Sequence, residues 1–148
     1  MERLYGELEG MTEMEVIELS KFLDEIFVPL GFHRKGLDWT LRNQEISKII
    51  NLKKSQYGTI FYINYGYVIN NLELTTRMHV YSGLGSIEEH EQKRIMELLD
   101  SETKISPDQR YPELKQYITD KILKRIQSVN TEEDVLSDLK KRPHLNDI

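Results

Sequence analysis

Apolar positions recur at helical spacing near the start of the chain. Val16, Leu19, Leu23, Ile26 and Leu30 are separated by steps of 3, 4, 3 and 4, and Phe22 and Phe27 widen the stripe. Thr12-Glu13-Met14-Glu15 has the hydroxyl-to-glutamate spacing of a capping box. Pro29 ends the pattern, because the residue before a proline avoids the helical region. This predicts a helix over 13–27. Residues 1–11 hold Gly6 and Gly10 with weak periodicity and read as a loose leader or a frayed helical start.

From Gly31 to Leu84 the pattern changes to strands. Phe32–Lys35 is short and extended, and Gly36 breaks it. Asp38–Arg42 alternates, with Trp39 and Leu41 opposite Thr40 and Arg42. After a turn at 42–44, Ile46, Ile50 and Leu52 share a face of the next run. A second turn spans 55–58. Thr59–Val68 is β-branched and aromatic throughout and is the strongest strand signal. Asn70-Asn71 turns the chain again into a strand over 74–81. Short connections between successive strands imply antiparallel hairpins, hence a four-stranded meander.

Helical spacing then returns. Ser86-Ile87-Glu88-Glu89 is a second capping-box pattern and predicts a helix to about Leu99. Residues 101–110 read as a loop containing Pro107, and Pro112 suits the first turn of the next helix. Leu114, Ile118, Ile122 and Ile126 recur every four residues, so that helix should reach Val129. Thr131 can cap a short last helix carrying Val135, Leu136 and Leu139, stopped by Pro143. The predicted class is α+β: an N-terminal helix, the meander, then two or three C-terminal helices packed on one sheet face.

Composition narrows the chemistry. The chain has 148 residues, enough for one domain with a proper core. It contains no cysteine, which excludes disulfide scaffolds, thiolate metal sites and a cysteine nucleophile. No apolar run approaches the ~18 residues of a spanning helix. The acidic start MERLYGELEG lacks the basic and apolar regions of a signal peptide, so a cytoplasmic location is expected. The net charge of −5 is uneven: residues 1–27 carry −6, residues 28–54 carry +4, and residues 86–102 carry −4. An acidic total disfavours general nucleic-acid binding but leaves room for one local basic face.

Several spaced motifs agree with a known pattern. They are Gly31-Phe32-His33-Arg34-Lys35-Gly36, Asn51-Leu52-Lys53-Lys54-Ser55, and Tyr62-Ile63-Asn64-Tyr65-Gly66. Residues 16–82 resemble the bacterial family called "domain of unknown function 4304". Its members carry a glycine–phenylalanine–basic–basic–glycine turn, an N-L-Q-K-S strand end and a Y-I-N-x-G strand. Lys53 stands here where that family often has Gln, and Tyr65 where a smaller aliphatic residue is common. The resemblance implies a small α+β domain without an assigned activity, and it brings over no catalytic residues.

Candidate chemistry gathers on the sheet face opposite the apolar one. Alternation puts Arg42, Asn51, Lys53, Tyr62, Asn64, Arg77, His79 and Tyr81 on one surface if the registers agree. Donors and aromatic faces beside cations suit an anion, a nucleotide or an acidic partner; an ordinary solvated sheet face would look similar. The basic turn His33-Arg34-Lys35 is a second candidate. The four histidines have no metal-ligand spacing, neither serine near the strand ends lies in a nucleophile elbow, and no cofactor is expected. Gly83-Leu84-Gly85-Ser86 reads as a strand-to-helix turn rather than a phosphate loop. Five of the eight tyrosines (57, 62, 65, 67, 81) crowd into the sheet, as an interface would favour.

These features favour a non-catalytic bacterial binding protein, in its most concrete form an immunity or antitoxin-like protein that neutralises a partner. The acidic helices over 13–27 and 86–99 could then face a basic cleft. The alternatives are an enzyme or binding module for a phosphorylated or nucleotide ligand at Tyr62, Arg77 and His79, and a self-associating domain.

Overall fold

The computed structural model describes residues 2–56, 58–71 and 80–141, with side chains placed from Glu15 onward except at Val80. The first helix, α1, spans Glu2–Phe27. It contains the expected 13–27 segment and continues back through Thr12 and the expected leader. A 3-10 turn over Val28–Leu30 follows, carrying Pro29 in its first turn.

The sheet has five described strands rather than four, in the sequential order β1-β2-β3-β4-β5. These are β1 (His33–Lys35), β2 (Asp38–Arg42), β3 (Ile46–Lys54), β4 (Phe61–Ile69) and β5 (Val80–Gly83), and all pairings are antiparallel. The extra strand comes from the short extended run after Phe32. Two glycines make it possible. Gly31 at φ +98 ends the 3-10 turn and donates its N–H to the Val28 carbonyl at 3.0 Å. Gly36 at φ +61 is the first residue of a two-residue loop that folds β1 back onto β2. The strand expected over 74–81 is described only from Val80, and residues 74–79 lie outside the described residues.

Register divides the side chains into two faces. Trp39, Ile50 and Tyr65 lie abreast, as do Leu41, Lys48 and Tyr67. Buried residues of this face join Leu19, Leu23 and Phe27 of α1 and buried residues of every later helix segment in one core. The helices therefore cover one side of the sheet, because the alternating strands offer them one apolar surface. On the other side lie Thr40, Ile49 and Gly66 in one row, and Asp38, Asn51 and Asn64 in the next.

The later helices differ from expectation at their starts. Helix α2 spans Glu89–Leu98, and its N-cap is Glu88, whose carboxylate accepts from the N–H groups of His90 and Glu91. Ser86 accepts from the Glu88 N–H instead of capping the helix itself. Helix α3 spans Pro107–Ile118, so the last four residues of the expected 101–110 loop are already helical. Pro107 takes the first helical position, where its missing N–H costs nothing, and Pro112 sits inside the helix. The helix then widens into a π turn over Thr119–Leu123 and continues as α4, Lys124–Gln127. Helix α5, Glu132–Lys140, opens on a full capping box between Thr131 and Asp134, as its sequence indicates. No helix among the described residues is long and apolar enough to cross a membrane.

Candidate functional site

The β3–β4 hairpin builds the site. Nine residue pairs join the two strands, from Ile46–Ile69 to Lys54–Phe61. On the side away from the helices this register sets Lys53 beside Tyr62 and Asn51 beside Asn64. Pairing of β4 with β5 brings Tyr81 beside Gly66 and Gly83 beside Asn64. Five of the expected surface residues are thus gathered: Asn51, Lys53, Tyr62, Asn64 and Tyr81. Arg42 shares the face but lies toward its other end: it pairs with Ser47, which is four residue steps from Asn51 along β3, or roughly 13 Å. Arg77 and His79 lie outside the described residues.

An open groove of about 1050 Å³ runs along this end of the face. Lys53, Tyr62, Asn64 and Tyr81 line it together with Lys54, Ser55, Gln56, Gly58, Thr59 and Ile60. Tyr62 is 45% exposed and Tyr81 65%, large values for aromatic side chains in a sheet. Amide bonds hold the groove's inner wall. Asn51 donates to the Asp38 carboxylate at 2.8 Å, and Asn64 donates to the Asn51 carbonyl oxygen at 3.4 Å. At the turn, the Ser55 N–H bonds the Ile60 carbonyl at 2.9 Å, and the buried Ser55 hydroxyl has no hydrogen-bond partner. A Cβ at Gly58 would stand 2.9 Å from that hydroxyl, so a side chain there would require the Ser55 hydroxyl to move.

Among the described residues, the groove lining contains lysines, hydroxyls and amides and no carboxylate, imidazole or thiol. It offers donors and aromatic surface.

The second candidate, His33-Arg34-Lys35, is an edge strand rather than a turn, and alternation splits it. His33 and Lys35 pair with Thr40 and Asp38 and share the open face. Arg34 turns to the covered face. Its guanidinium donates to Asp24 at 2.9 Å and to the Gly36 carbonyl at 2.9 Å, and stands 5.2 Å from the Trp39 ring centre. The Trp39 indole N–H donates to the same Asp24 carboxylate at 2.8 Å. This cluster fastens α1 to the sheet and leaves Arg34 committed to that role.

Other charges are spent in the same way. Arg110, buried, donates to Glu15 and to the Leu98 carbonyl, tying α3 to α1 and α2. Arg94 of α2 grips Glu113 of α3 through two bonds of 2.6 and 2.7 Å. These bonds hold the Glu113 carboxyl below the usual carboxylate range. Lys48 lies on the covered face and donates to Asn130 at 2.9 Å; burial pushes its ammonium pKa down, against the nearby Asp134 charge.

A second cleft, of about 550 Å³, lies between residues 85–88 and the helix carrying Lys121 and Arg125. Both cations are held by carboxylates there, Lys121 by Glu91 at 2.5 Å and Arg125 by Asp138 at 3.0 Å. The Ser86 N–H is taken by the Gln92 side chain at 2.6 Å, so the Gly83–Ser86 segment is a strand-to-helix turn.

Sequence reasoning reached the tyrosines but not their division. Tyr65 and Tyr67 are buried on the covered face, while Tyr62 and Tyr81 stand exposed; Tyr57 lies outside the described residues. It missed the contribution of residues 54–60, because a turn's residues show no periodicity that assigns them to a face. The adjacency of Lys53 and Lys54 to a glycine-bearing turn was the available signal.

A family model described as "Domain of unknown function (DUF4304)" matches residues 23–132, which reach beyond the motif-bearing strands into the C-terminal helices. No curated protein matches the chain, and no solved structure matches it.

Proposed function

The chain belongs to the DUF4304 family, and from that premise, with no activity attached to the family's description, we propose that it is a non-catalytic bacterial binding protein. It works in the cytoplasm and engages a protein partner through the open face of its sheet. Its role is to occupy and neutralise that partner, in the manner of an immunity protein or antitoxin. The carrying observation is the pair Tyr62 and Tyr81, both exposed along one open groove. Exposed tyrosines supply large contact area at low entropic cost, and they anchor many protein interfaces. The absence of cysteine suits a reducing compartment.

The acidic helices are weaker candidates for the contact. Several of their carboxylates, among them Glu15, Asp24 and Glu91, are engaged in bonds within the molecule.

Co-expression with the products of neighbouring genes, followed by affinity capture and a growth-protection assay, tests this reading. We expect a complex that survives purification and is lost in the double variant Tyr62→Ala/Tyr81→Ala. A complex indifferent to both substitutions would overturn the assignment of this face.

A further inference from the structure

We propose that Lys48 is a reactive amine that condenses with a short, uncharged aliphatic aldehyde seated in the small cavity beside it. This site lies on the covered side of the sheet and stands independently of the proposed docking face.

The cavity has a volume of about 90 Å³ and is built from three elements. Leu30 and Phe32 come from the 3-10 turn and the approach to β1, and Leu123 and Ile126 from the helix that crosses above. Leu41 and Lys48, paired across β2 and β3, supply the floor. Leu30 is 42% exposed, so the cavity has an edge on solvent through which a small molecule can enter. Leu123 closes the π turn over Thr119–Leu123, and such helix irregularities recur at functional sites. At about 30 Å³ for each water-sized group, roughly three carbon atoms fill the space.

Lys48 is only 7% exposed, which is rare for a lysine. The buried Arg110 holds the Glu15 carboxylate, but the Lys48 ammonium donates instead to the neutral amide oxygen of Asn130, at 2.9 Å. An amide oxygen accepts from an amine as readily as from an ammonium, whereas a carboxylate would hold the proton in place. Burial lowers the Lys48 pKa by more than the Asp134 charge raises it. A larger share of neutral, nucleophilic amine is therefore present here than on a solvated lysine at the same pH.

The chemistry balances without a further reagent. The amine nitrogen attacks the aldehyde carbon, and a C–N bond forms as the carbonyl π pair moves to oxygen. Both amine protons end on that oxygen, which leaves as water, and a C=N imine remains. The imine is uncharged and keeps its alkyl tail among the leucines. A carbamate from carbon dioxide, or the imine of a keto acid, would instead place a negative charge in apolar surroundings and near Asp134.

Reductive trapping on the full chain tests this. Propanal and cyanoborohydride are added near neutral pH, so that each imine becomes a stable secondary amine, and peptide mapping by mass spectrometry gives the rate at each lysine. Lys48 should be propylated about tenfold or more faster than the exposed Lys21, Lys35 and Lys53, since each unit of pKa depression raises the neutral fraction about tenfold. Glyoxylate and 2-naphthaldehyde, one charged and one too large, should label the exposed lysines and leave Lys48. In guanidinium chloride the preference for Lys48 should vanish. Leu30→Phe, which fills the solvent edge, should slow Lys48 several-fold and leave the exposed lysines at their wild-type rates. Lys48 reacting with propanal no faster than the exposed lysines would overturn the proposal. So would a preference that survives denaturation, equal labelling of Lys48 by glyoxylate, or an unchanged Lys48 rate in Leu30→Phe.

Discussion

The two faces of the sheet are made from the same five strands, yet they use charge in opposite ways. On the covered face every described basic side chain near the core has a fixed partner: Arg34 with Asp24, Lys48 with Asn130, Arg110 with Glu15. On the open face Lys53, Lys35 and Arg42 take part in none of the ion pairs among the described residues. A charge next to a core must be paired, because desolvating it alone is costly. A charge on a solvated face has no such obligation and stays available to something else. The same division runs through the aromatics, with Trp39, Tyr65 and Tyr67 buried and Tyr62 and Tyr81 exposed. One side of the molecule thus buries its rings and pairs its cations, and the other exposes two tyrosines to solvent.

Substitutions that set one face against the other test this division, and the largest effect belongs to the covered side. Trp39→Ala should cost about 3–5 kcal/mol in urea unfolding, since a fully buried indole and its bond to Asp24 are lost together. Tyr62→Ala should cost less than about 0.5 kcal/mol in the same assay. Equal costs would erase the distinction. Arg110→Ala comes next, at about 3 kcal/mol, because it leaves Glu15 and the Leu98 carbonyl without their donor. The double variant with Glu15→Ala should recover part of that loss, which a double-mutant cycle would measure.

Asp24→Asn should cost about 1 kcal/mol. The amide oxygen can still accept from Trp39, but the half-exposed ion pair with Arg34 is gone. Smaller again are two pH effects, in each of which stability rises with pH. Arg94 depresses the Glu113 pKa below its ordinary 4.5, so the folded protein binds fewer protons there than the unfolded chain. That stabilisation is present above pH 4.5 and is lost as pH falls through the depressed folded value. Glu113→Gln should flatten the acid limb of a stability-against-pH curve. Burial lowers the Lys48 pKa from 10.5, so stability should rise with pH between the folded value and 10.5. Lys48→Met should remove that alkaline rise.

Much of this division was legible in the sequence, for a physical reason. Strands buried on one side must alternate, so the register-dependent neighbours Lys53–Tyr62 and Asn51–Asn64 follow from parity and hairpin order. The core of α1 follows from its helical stripe in the same way. What escaped lies where parity gives no information. Phe32–Lys35 read as extended, but its three polar residues in a row hide alternation, so the separation of Arg34 from His33 and Lys35 became visible only with the pairing to β2. The start of α3 at Pro107 was missed because Pro107 and Pro112 both suit a first helical turn, and the helix was expected to start at the later one. Partners distant in sequence, such as Arg110 with Glu15, could not be read at all, since charge patterns do not specify which helices meet.

Hydrogen exchange on the captured complex tests the central claim most directly. The account predicts slowed exchange in the backbone of Lys53–Asn64 and at Tyr81, with α1 and α2 unchanged. Protection confined to α1 or α2, with the β3–β4 hairpin exchanging as in the free protein, would contradict it.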